Sequence, residues 1–477
     1  MNRRAFVHTT AGAAAGLLFE WRTAWAQSTA ATPGATVATT AGKIRGLVTD
    51  NKIQAFKGIP YGASTAGSRR FLPPVSVQRW IGVRDAFEIG LRSPLIDSTL
   101  VPEWAPLNLR EPMGEDCLNL NLWTPSATKG AKRPVMVWLH GGGYSAGSPN
   151  MTPYDGASLS RKHDVVVVGI THRLNVFGFA YLAELGGEQF ADASNQGMKD
   201  IILGLEWIRD NVANFGGDPR NVTIFGQSGA GRGRGRGPAG RGFNAAPVVD
   251  GKSLPHNVFD PSATTLSEYV PLLIGSTETE VTWNVNTDYT PPADDAALRE
   301  RIKRTLGAVD DRQADQIIAV YRKGRPKASN LDLALIVETD ASQFRRGTDT
   351  QAERKAALGK APVYMYRFQW YSPVSGGRLR AMHCMDIPFV FQNVDISKTV
   401  VGDGQDRHAL SKSMSAAWVT FATTGNPNNK LLPKWDAFTA EKRATMIFNT
   451  ECRAVNDPYR EERLAIAAAQ RSRRTND

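Results

Sequence analysis

A short apolar run that ends in a tight turn of small residues constrains the fold of this chain most strongly. Residues 221–225 (Asn-Val-Thr-Ile-Phe) are typical of a β-strand, and residues 226–230 (Gly-Gln-Ser-Gly-Ala) follow without a break. A serine at the tip of such a bend is held away from the sheet, and only small neighbours fit there without collision. Ala230 stands where the pattern G-x-S-x-G has its second glycine, which adds strain. We therefore expect an exposed Ser228 hydroxyl; a glycine-rich turn without catalytic use is the alternative.

Strand-like and helix-like segments alternate along the chain. Residues 134–139 and 164–170 are short runs rich in β-branched residues, which is typical of strands covered on both faces. Between Ile201 and Phe215 apolar residues recur at helical spacing, and Gly-Gly-Asp-Pro at residues 216–219 ends this helix. Further expected elements are a hairpin over residues 43–53, strands over 270–274 and 363–368, and a helix over 409–424 that ends at Gly425. Such alternation predicts an α/β fold with a mostly parallel central sheet flanked by helices.

A second glycine motif follows the predicted strand over residues 134–139. Residues 140–143 are His-Gly-Gly-Gly, and consecutive glycines let backbone N–H groups approach a reacting carbonyl group without obstruction. The N–H groups of Gly142, Gly143 and Gly229 are candidate donors to the oxyanion of a tetrahedral intermediate. A phosphate-binding loop is the rival interpretation, but neither G-K-[ST] nor G-x-G-x-x-G accompanies these glycines. The two motifs in this order favour acyl transfer through a serine.

The formal net charge of +11 is concentrated in three segments. The N-terminal leader, an alternating Arg-Gly tract at residues 232–241 and the C-terminal tail hold most of the excess, so the body of the chain is only weakly basic. A weakly basic body does not supply the basic patch by which a nucleic-acid-binding domain is recognised. We expect no nucleic-acid partner and interpret residues 232–241 as a disordered linker.

The first residues are typical of an export signal. Arg3 and Arg4 precede a short stretch rich in Ala and Gly, and residues 24–26 (Ala-Trp-Ala) offer a cleavage site. The stretch is too short to span a bilayer, and no later segment has a transmembrane pattern. We therefore predict a twin-arginine-type signal peptide at residues 1–26 and a single domain over 27–477. Periplasmic or secreted localisation without stable membrane insertion follows from this; an uncleaved N-terminal tail is the alternative.

The cysteines show no metal-binding pattern. Cys117, Cys384 and Cys452 are far apart and lie in no C-x-x-C or Cys/His cluster. Buried structural thiols are the favoured interpretation, and at most one disulfide can form. The sequence gives no reason to expect a metal.

With these motifs the sequence resembles the type-B carboxylesterase family, which includes bacterial para-nitrobenzyl esterases and the cholinesterases. The family's landmarks have counterparts, in the same order, at residues 56–61, 70–74, 115–121, 171–179 and 215–219. The resemblance extends from about Thr36 to about Ala465 with one break. It implies an α/β-hydrolase fold and hydrolysis of small-molecule esters without a cofactor; the oligomeric state stays open. Candidate aromatic walls of a substrate pocket, each explained equally well by core packing, are Trp104, Tyr144, Trp283 and Phe389.

The resemblance further implies a Ser–Glu–His catalytic triad in this chain order. Residues 272–280 resemble the strand end that carries the acid, which places it on Glu280, with Glu278 as the competing candidate. The loop that precedes Asp-Ile-Pro-Phe resembles the histidine loop and contains His383. In this interpretation His383 accepts the proton of Ser228 and returns it to the leaving alcohol, while Glu280 orients the imidazole. An acyl-enzyme is the intermediate.

The resemblance breaks directly after the serine. Family members continue into a helix, a further core strand and several helices, whereas this chain passes through the Arg-Gly tract to residues 243–251, which resemble the segment shortly before the acid. The sequence therefore predicts an internal deletion that removes a central strand and several helices. Without the helix, the turn loses its buttress and a favourable dipole. We expect weak or absent esterase activity; a catalytically silent binding protein and a reading error in the gene are the alternatives.

Overall fold

The β-branched runs of the sequence form strands that lie side by side in two sheets. A computed structural model of the chain describes residues 32–95, 101–109, 111–184, 186–231, 245–307 and 309–476. Within these ranges the strands are β1 (Thr32–Ala38), β2 (Lys43–Val48), β3 (Gln54–Pro60), β4 (Val83–Asp85), β5 (Asn119–Thr124), β6 (Arg133–Leu139), β7 (Val166–Ile170), β8 (Gly217–Gly226), β9 (Leu272–Thr277), β10 (Val363–Phe368), β11 (Ala444–Phe448) and β12 (Arg453–Asn456).

The first sheet contains the strands that precede the two glycine motifs. Its order is β1-β2-β3-β5-β7-β6-β8, with β4 beside β2. β6 pairs in parallel with both β7 and β8, whereas the strands from β1 to β7 along this path pair antiparallel. β7 is buried throughout and β6 along most of its length, as expected for strands covered on both faces. The centre of the fold is parallel as predicted, and the N-terminal half adds an antiparallel extension.

The second sheet contains the strands that lead to the predicted acid and histidine. Its order is β12-β11-β10-β9, with β9, β10 and β11 parallel and β12 antiparallel. β9 is one edge of this sheet and β8 is one edge of the first, and no strand in the described ranges joins them. The sequence predicts a mostly parallel central sheet that lacks one strand, and the described strands form two sheets with free edges at β8 and β9.

Helices cover the faces of the sheets. They are α1 (Ala157–His163), α2 (Asn175–Phe179), α3 (Gln196–Asn211), α4 (Asp295–Leu306), α5 (Asp311–Gly324), α6 (Asn330–Ala341), α7 (Gln343–Ala357), α8 (Ile387–Val390), α9 (Lys398–Val401), α10 (Asp406–Thr424) and α11 (Arg460–Asn476). Capping boxes satisfy the first N–H groups of α5, through Asp310 and Gln313, and of α6, through Ser329 and Asp332. Gly425 ends α10 with φ +75°, which confirms the predicted stop.

One hydrophobic cluster joins the two sheets. It contains Trp138 of β6 and Tyr366 of β10, and Phe225 of β8 packs against it. The rings of Trp138 and Phe391 meet edge to face with centroids 5.0 Å apart. Because both sheets share this core, the free edges of β8 and β9 are held in one fold although no hydrogen-bond ladder connects them.

Element boundaries differ by a few residues from those predicted. β8 begins at Gly217, because Gly217 pairs with Arg133 of β6 and so extends the ladder before residue 221. The predicted signal peptide (1–26) and Arg-Gly tract (232–241) lie outside the described residues. The division into a leader and one domain therefore stays a prediction. Over the described ranges no helix combines the length and the apolar character that a membrane crossing requires.

Candidate active site

β8 ends in the sharp turn that the sequence predicts. Ser228 has φ +55°, in the left-handed region that residues other than glycine rarely adopt. Gly229 lies against the glycine loop, since a Cβ atom there would come within 2.8 Å of Gly143 Cα and 2.9 Å of Gly143 N. Only glycine permits this approach, which explains the small residue that follows the serine.

The glycine loop after β6 faces this turn. Gly142 and Gly143 have φ values of +116° and +61°, and a Cβ atom on Gly142 would collide with the carbonyl oxygen of Ala146. The Gly142 carbonyl accepts hydrogen bonds of 3.1 Å from the N–H groups of Ser145 and Ala146, which closes the loop. The backbone of Gly143, next to Gly142 in this loop, lies against the backbone of Gly229. The three candidate oxyanion donors lie in one region of the fold.

His140 supports the glycine loop from the core. Its ring is buried and stacks on His172 with centroids 4.7 Å apart, and its Nδ1 lies 2.8 Å from the Gly141 carbonyl oxygen. Burial lowers the pKa of His140 to about 4, so the ring is neutral at pH 7 and its Nδ1–H donates to Gly141. His140 therefore holds the loop in place and does not face the cavity of Ser228.

Glu280 lies in the turn after β9, against the imidazole of His383. Its Oε2 contacts His383 Nδ1, and its Oε1 accepts a hydrogen bond of 2.8 Å from Thr277 N. Burial alone would raise the pKa of Glu280, but His383 and the Thr277 N–H hold this pKa below its usual value. Glu280 is therefore ionised at neutral pH and keeps the proton of His383 on Nδ1.

The competing acid, Glu278, faces a different set of groups. Arg325 Nη2 donates a hydrogen bond of 2.7 Å to Glu278 Oε1. Burial would raise the pKa of Glu278, but Arg325 and two further arginines lower it to about 2. Of the two acids left open by the sequence, the structure brings Glu280 to His383 and uses Glu278 in an ion-pair network.

Two rings and an amide surround the imidazole of His383. The ring of Phe344 lies 4.5 Å from it between centroids, and the ring of Trp283 lies 5.8 Å away. Gln227 Nε2 lies 2.8 Å from His383 Nε2. Because Nδ1 carries the proton toward Glu280, Nε2 has a free lone pair, and the Gln227 amide donates to it.

The Gln227 bond occupies the lone pair that a general base needs. Among the hydrogen bonds between described residues, none joins Ser228 Oγ to His383. The structure therefore brings the predicted acid and base together and places the predicted nucleophile on the same cavity. In this arrangement the base is bonded to Gln227 and not to Ser228.

A single cavity of about 640 Å³ contains the three predicted residues. Ser228, Glu280 and His383 all line it, and it extends from the ends of β8 and β9 along both strands. Its volume lies in the range of pockets that hold small molecules. The site is therefore one continuous space that begins at the candidate triad and continues between the two sheets.

The sequence left four aromatic residues open between the wall of a pocket and the core. Trp104, Tyr144, Trp283 and Phe389 are not among its described lining residues; Trp104 and Phe389 belong to the core. Phe344 lines it instead, and lies on α7 far along the chain from β8, where no local pattern marks it. The sequence places Gln227 in the serine turn, but its contact with His383 depends on a loop that is distant in sequence.

Asp386, near His383, yields a pH-dependent prediction. Asp386 is buried, accepts a hydrogen bond of 2.8 Å from the Tyr366 hydroxyl, and has its pKa raised to about 6 by burial. Because its pKa in the unfolded chain is near 4, its contribution to stability falls as the pH rises from about 4 to about 6. Asp386→Asn should remove this decline, which amounts to about 3 kcal/mol in the free energy of unfolding.

Urea unfolding of both proteins at pH 4, 5, 6 and 7 measures this effect. The surface variant Asp436→Asn, whose parent side chain is 44% exposed, is the control and should follow the parent protein. Parallel pH profiles for Asp386→Asn and the parent protein would contradict the prediction.

The chain resembles known carboxylesterases in sequence. The chain matches the sequence pattern of the carboxylesterase family over residues 33–232 and 236–467. The para-nitrobenzyl esterase of Bacillus subtilis (strain 168) is 30% identical over 510 residues, which cover 90% of this chain and 98% of the relative. Because 90% of 477 residues is well below 510, several dozen aligned positions of the relative have no counterpart in this chain.

Solved structures resemble the chain over nearly its whole length. An esterase from Clostridium hathewayi, described as able to hydrolyze aliphatic aromatic polyesters, has a TM-score of 0.79 at 28% identity and covers 92% of this chain and 100% of its own. A carboxylesterase from Geobacillus stearothermophilus has a TM-score of 0.70 at 32% identity, with 90% of this chain and 99% of its own covered. Both structures support one fold over about nine-tenths of this chain.

Proposed function

The chain belongs to the carboxylesterase family, has its α/β-hydrolase fold and is a serine carboxylesterase, and on this premise we propose that it hydrolyses small-molecule esters through Ser228, His383 and Glu280. The main support for this proposal is the buried contact of Glu280 with His383, because both residues line the same cavity as Ser228. In such an arrangement the ionised acid contacts one nitrogen of the imidazole, and the second nitrogen faces the cavity. An imidazole held in this way can act as a general base.

The reaction proceeds in two acyl-transfer steps. Ser228 Oγ attacks the carbonyl carbon of the ester while His383 Nε2 accepts its proton, and Glu280 stabilises the imidazolium that forms. The tetrahedral intermediate then expels the alcohol, which takes the proton from His383. A water molecule, deprotonated by the same nitrogen, attacks the acyl-enzyme and releases the acid.

Backbone donors stabilise the negative charge of each intermediate. Gly142, Gly143 and Gly229 are the candidate donors, and the close approach of Gly229 to Gly143 supports this assignment. Such donors are already in place before the reaction, so they stabilise the transition state without reorganisation. No cofactor enters the proposed steps.

A fluorophosphonate probe tests the nucleophile directly. The probe should react at Ser228, and mass spectrometry of the digested protein should find the label on the peptide that contains it. His383→Ala should slow labelling strongly, because Ser228 then lacks its base. A label on another serine would contradict the assignment.

We further propose that turnover is weak. Two features of the structure support this: the Gln227 bond to His383 Nε2 and the free edge of β8. Two features of the comparisons also support it: the break in the family match between residues 232 and 236, and the unmatched positions of the relative. They are consistent with an internal deletion after the serine turn. The kcat/KM for p-nitrophenyl acetate should fall far below that of the Bacillus subtilis relative in the same assay. Equal turnover by the two proteins would contradict the proposed impairment.

Gln227 itself provides a prediction about the rate. Gln227→Ala frees His383 Nε2, and because a neutral hydrogen bond contributes about 0.5–1.5 kcal/mol, kcat/KM should rise about 2–10-fold. Gln351→Ala is a matched control, since Gln351 lines the same cavity without a hydrogen bond to His383 in the described contacts. Initial rates with p-nitrophenyl acetate measure both variants. A lower rate in Gln227→Ala would show that the amide assists the reaction.

The second candidate function is a catalytically silent binding protein. The occupied Nε2 of His383 is the observation that favours it. The fluorophosphonate probe separates the two candidates, because a silent protein leaves Ser228 unlabelled over hours. Labelling of the parent protein supports the enzyme.

We also propose that the protein is exported through a twin-arginine signal at residues 1–26. Arg3 and Arg4 ahead of a short Ala- and Gly-rich stretch support this. Replacing both arginines by lysine should retain the protein in the cytoplasm when it is expressed in a bacterium with a twin-arginine pathway. Export of that variant at the parent level would contradict the proposal.

A further inference from the structure

The cavity beyond the candidate triad lies between the edges of two strands. All residues from 221 to 228 line it on one side, and all residues from 270 to 277 line it on the other. Side chains alternate between the faces of a strand, so a cavity on a face meets every second residue. Because consecutive residues of both segments line this cavity, part of it lies between the backbone edges of β8 and β9.

Helices cover this space from both sides. Trp418 and Phe421 of α10 line it, and they pack with the face of β10 that carries Tyr366. Phe344 and Thr348 of α7 also line it, and α7 covers the other face of β10. The cavity is therefore a slot with two strand edges as its sides and the helices α10 and α7 above and below, which we call the inter-sheet slot.

The two edges of the inter-sheet slot run in the same direction. Ser228 follows the end of β8 and Glu280 follows the end of β9, and both residues line the cavity with His383. The carboxyl ends of β8 and β9 therefore lie at the same end of the slot. Each strand bonds on its other side in parallel, β8 to β6 and β9 to β10.

We propose that the inter-sheet slot binds one extended peptide segment of another polypeptide, uncharged and rich in β-branched residues, as a strand between β8 and β9. An edge strand presents a row of N–H and C=O groups to a partner. A peptide strand satisfies such groups on both edges at once, whereas an alkyl chain in the same space would leave them without partners.

Side chains at the slot fit an apolar occupant. Ile224 of β8 is 51% exposed, and Val270, two residues before β9, is 59% exposed, although apolar side chains of this kind are usually buried. The nearest part of this chain outside the described residues, 232–241, alternates arginine with glycine and does not match an apolar lining. A strand from a second polypeptide therefore fits the slot better than that segment does.

A peptide that copies residues 165–170 (Val-Val-Val-Val-Gly-Ile), with a lysine pair at each end, is a suitable probe because β7 is a buried strand paired on both edges. At a concentration near 100 times its Kd it should raise the unfolding midpoint of the full chain by about 2–3 °C. The same peptide with proline at its third position loses a backbone donor and should leave the midpoint unchanged.

Variants of the protein locate the effect. Ile224→Lys places a charge in the slot and should abolish the rise, whereas Ile202→Lys, on α3 and 56% exposed in the parent protein, should retain it. No rise with the parent protein, an equal rise with the proline peptide, or an equal rise in both lysine variants would overturn the proposal. A rise with a long-chain fatty acid but not with the peptide would also overturn it and indicate an acyl channel. These measurements require no turnover, so they are independent of the proposed hydrolysis.

Discussion

Replacing Ser228 with alanine should lower kcat/KM for p-nitrophenyl acetate by about 10³-fold or more, because the ester then meets no nucleophile and no acyl-enzyme forms. The oxyanion donors and the cavity remain, so KM should change much less than kcat. Release of p-nitrophenol by equal amounts of the two purified proteins measures the difference. Where turnover of the parent protein is below detection, the rate of fluorophosphonate labelling provides the same comparison.

The control for this variant is a serine close to the site but outside the proposed triad. Ser145 lies in the glycine loop, where its N–H bonds the Gly142 carbonyl and its hydroxyl is 3.4 Å from the Gly143 carbonyl oxygen. Ser145→Ala keeps those backbone bonds and should stay within about threefold of the parent rate. Circular dichroism should be the same for all three proteins. A Ser228→Ala protein that keeps more than a tenth of the parent activity would contradict the proposed mechanism.

The parts of the site that depend on local backbone geometry could be predicted from the sequence. The turn after β8 needs small residues around Ser228, and the loop after β6 needs glycine at 142, where φ is +116°. Both requirements act within a few residues, so they leave a mark in the sequence. The strand over Val363–Phe368 has the predicted bounds for the same reason, since five of its six residues are apolar or aromatic.

Contacts between distant segments could not be predicted in the same way. Glu278 and Glu280 both follow the end of β9, and they differ in their bonding partners. Arg325, which directly follows α5 and lies far along the chain, donates a hydrogen bond to Glu278. The Gln227 contact with His383 likewise joins residues 156 positions apart. Such choices depend on how whole elements pack, and no local spacing records them.

The division into two sheets could be predicted only in part. Each run of β-branched residues forms a strand, but a run does not specify its neighbour, and the edges of β8 and β9 have no partner strand in the described ranges. The sequence does show the place of the discontinuity, because the Arg-Gly tract lies between these two strands. The helices that line the space between them, α7 and α10, are not marked by any strand pattern.

A buried ion pair lies next to the segment that is bonded to the glycine loop. Arg173 and Asp200 have side chains only 2% and 0% exposed, and the Asp200 carboxylate accepts bonds of 2.6 Å and 2.8 Å from the guanidinium. Arg173 also donates to the Leu72 carbonyl at 2.8 Å. Two residues later, Asn175 N donates to the Tyr144 carbonyl at 2.7 Å, which ties this segment to the loop that carries Gly143.

Asp200→Ala should lower the free energy of unfolding by about 3–5 kcal/mol, because it leaves the Arg173 guanidinium charged and unpaired in the core. Asp210→Ala is the matched control, since Asp210 pairs with Arg209 on the surface with 44% and 65% of the two side chains exposed, and such pairs contribute about 1 kcal/mol or less. Urea unfolding at pH 7 compares the two variants with the parent protein. Equal losses would show that the buried pair contributes no more than a surface pair. A loosened glycine loop should also reduce fluorophosphonate labelling of Ser228 in the fraction that stays folded. A large loss of stability confined to Asp200→Ala, together with this slower labelling, would identify the ion pair as the support of the loop.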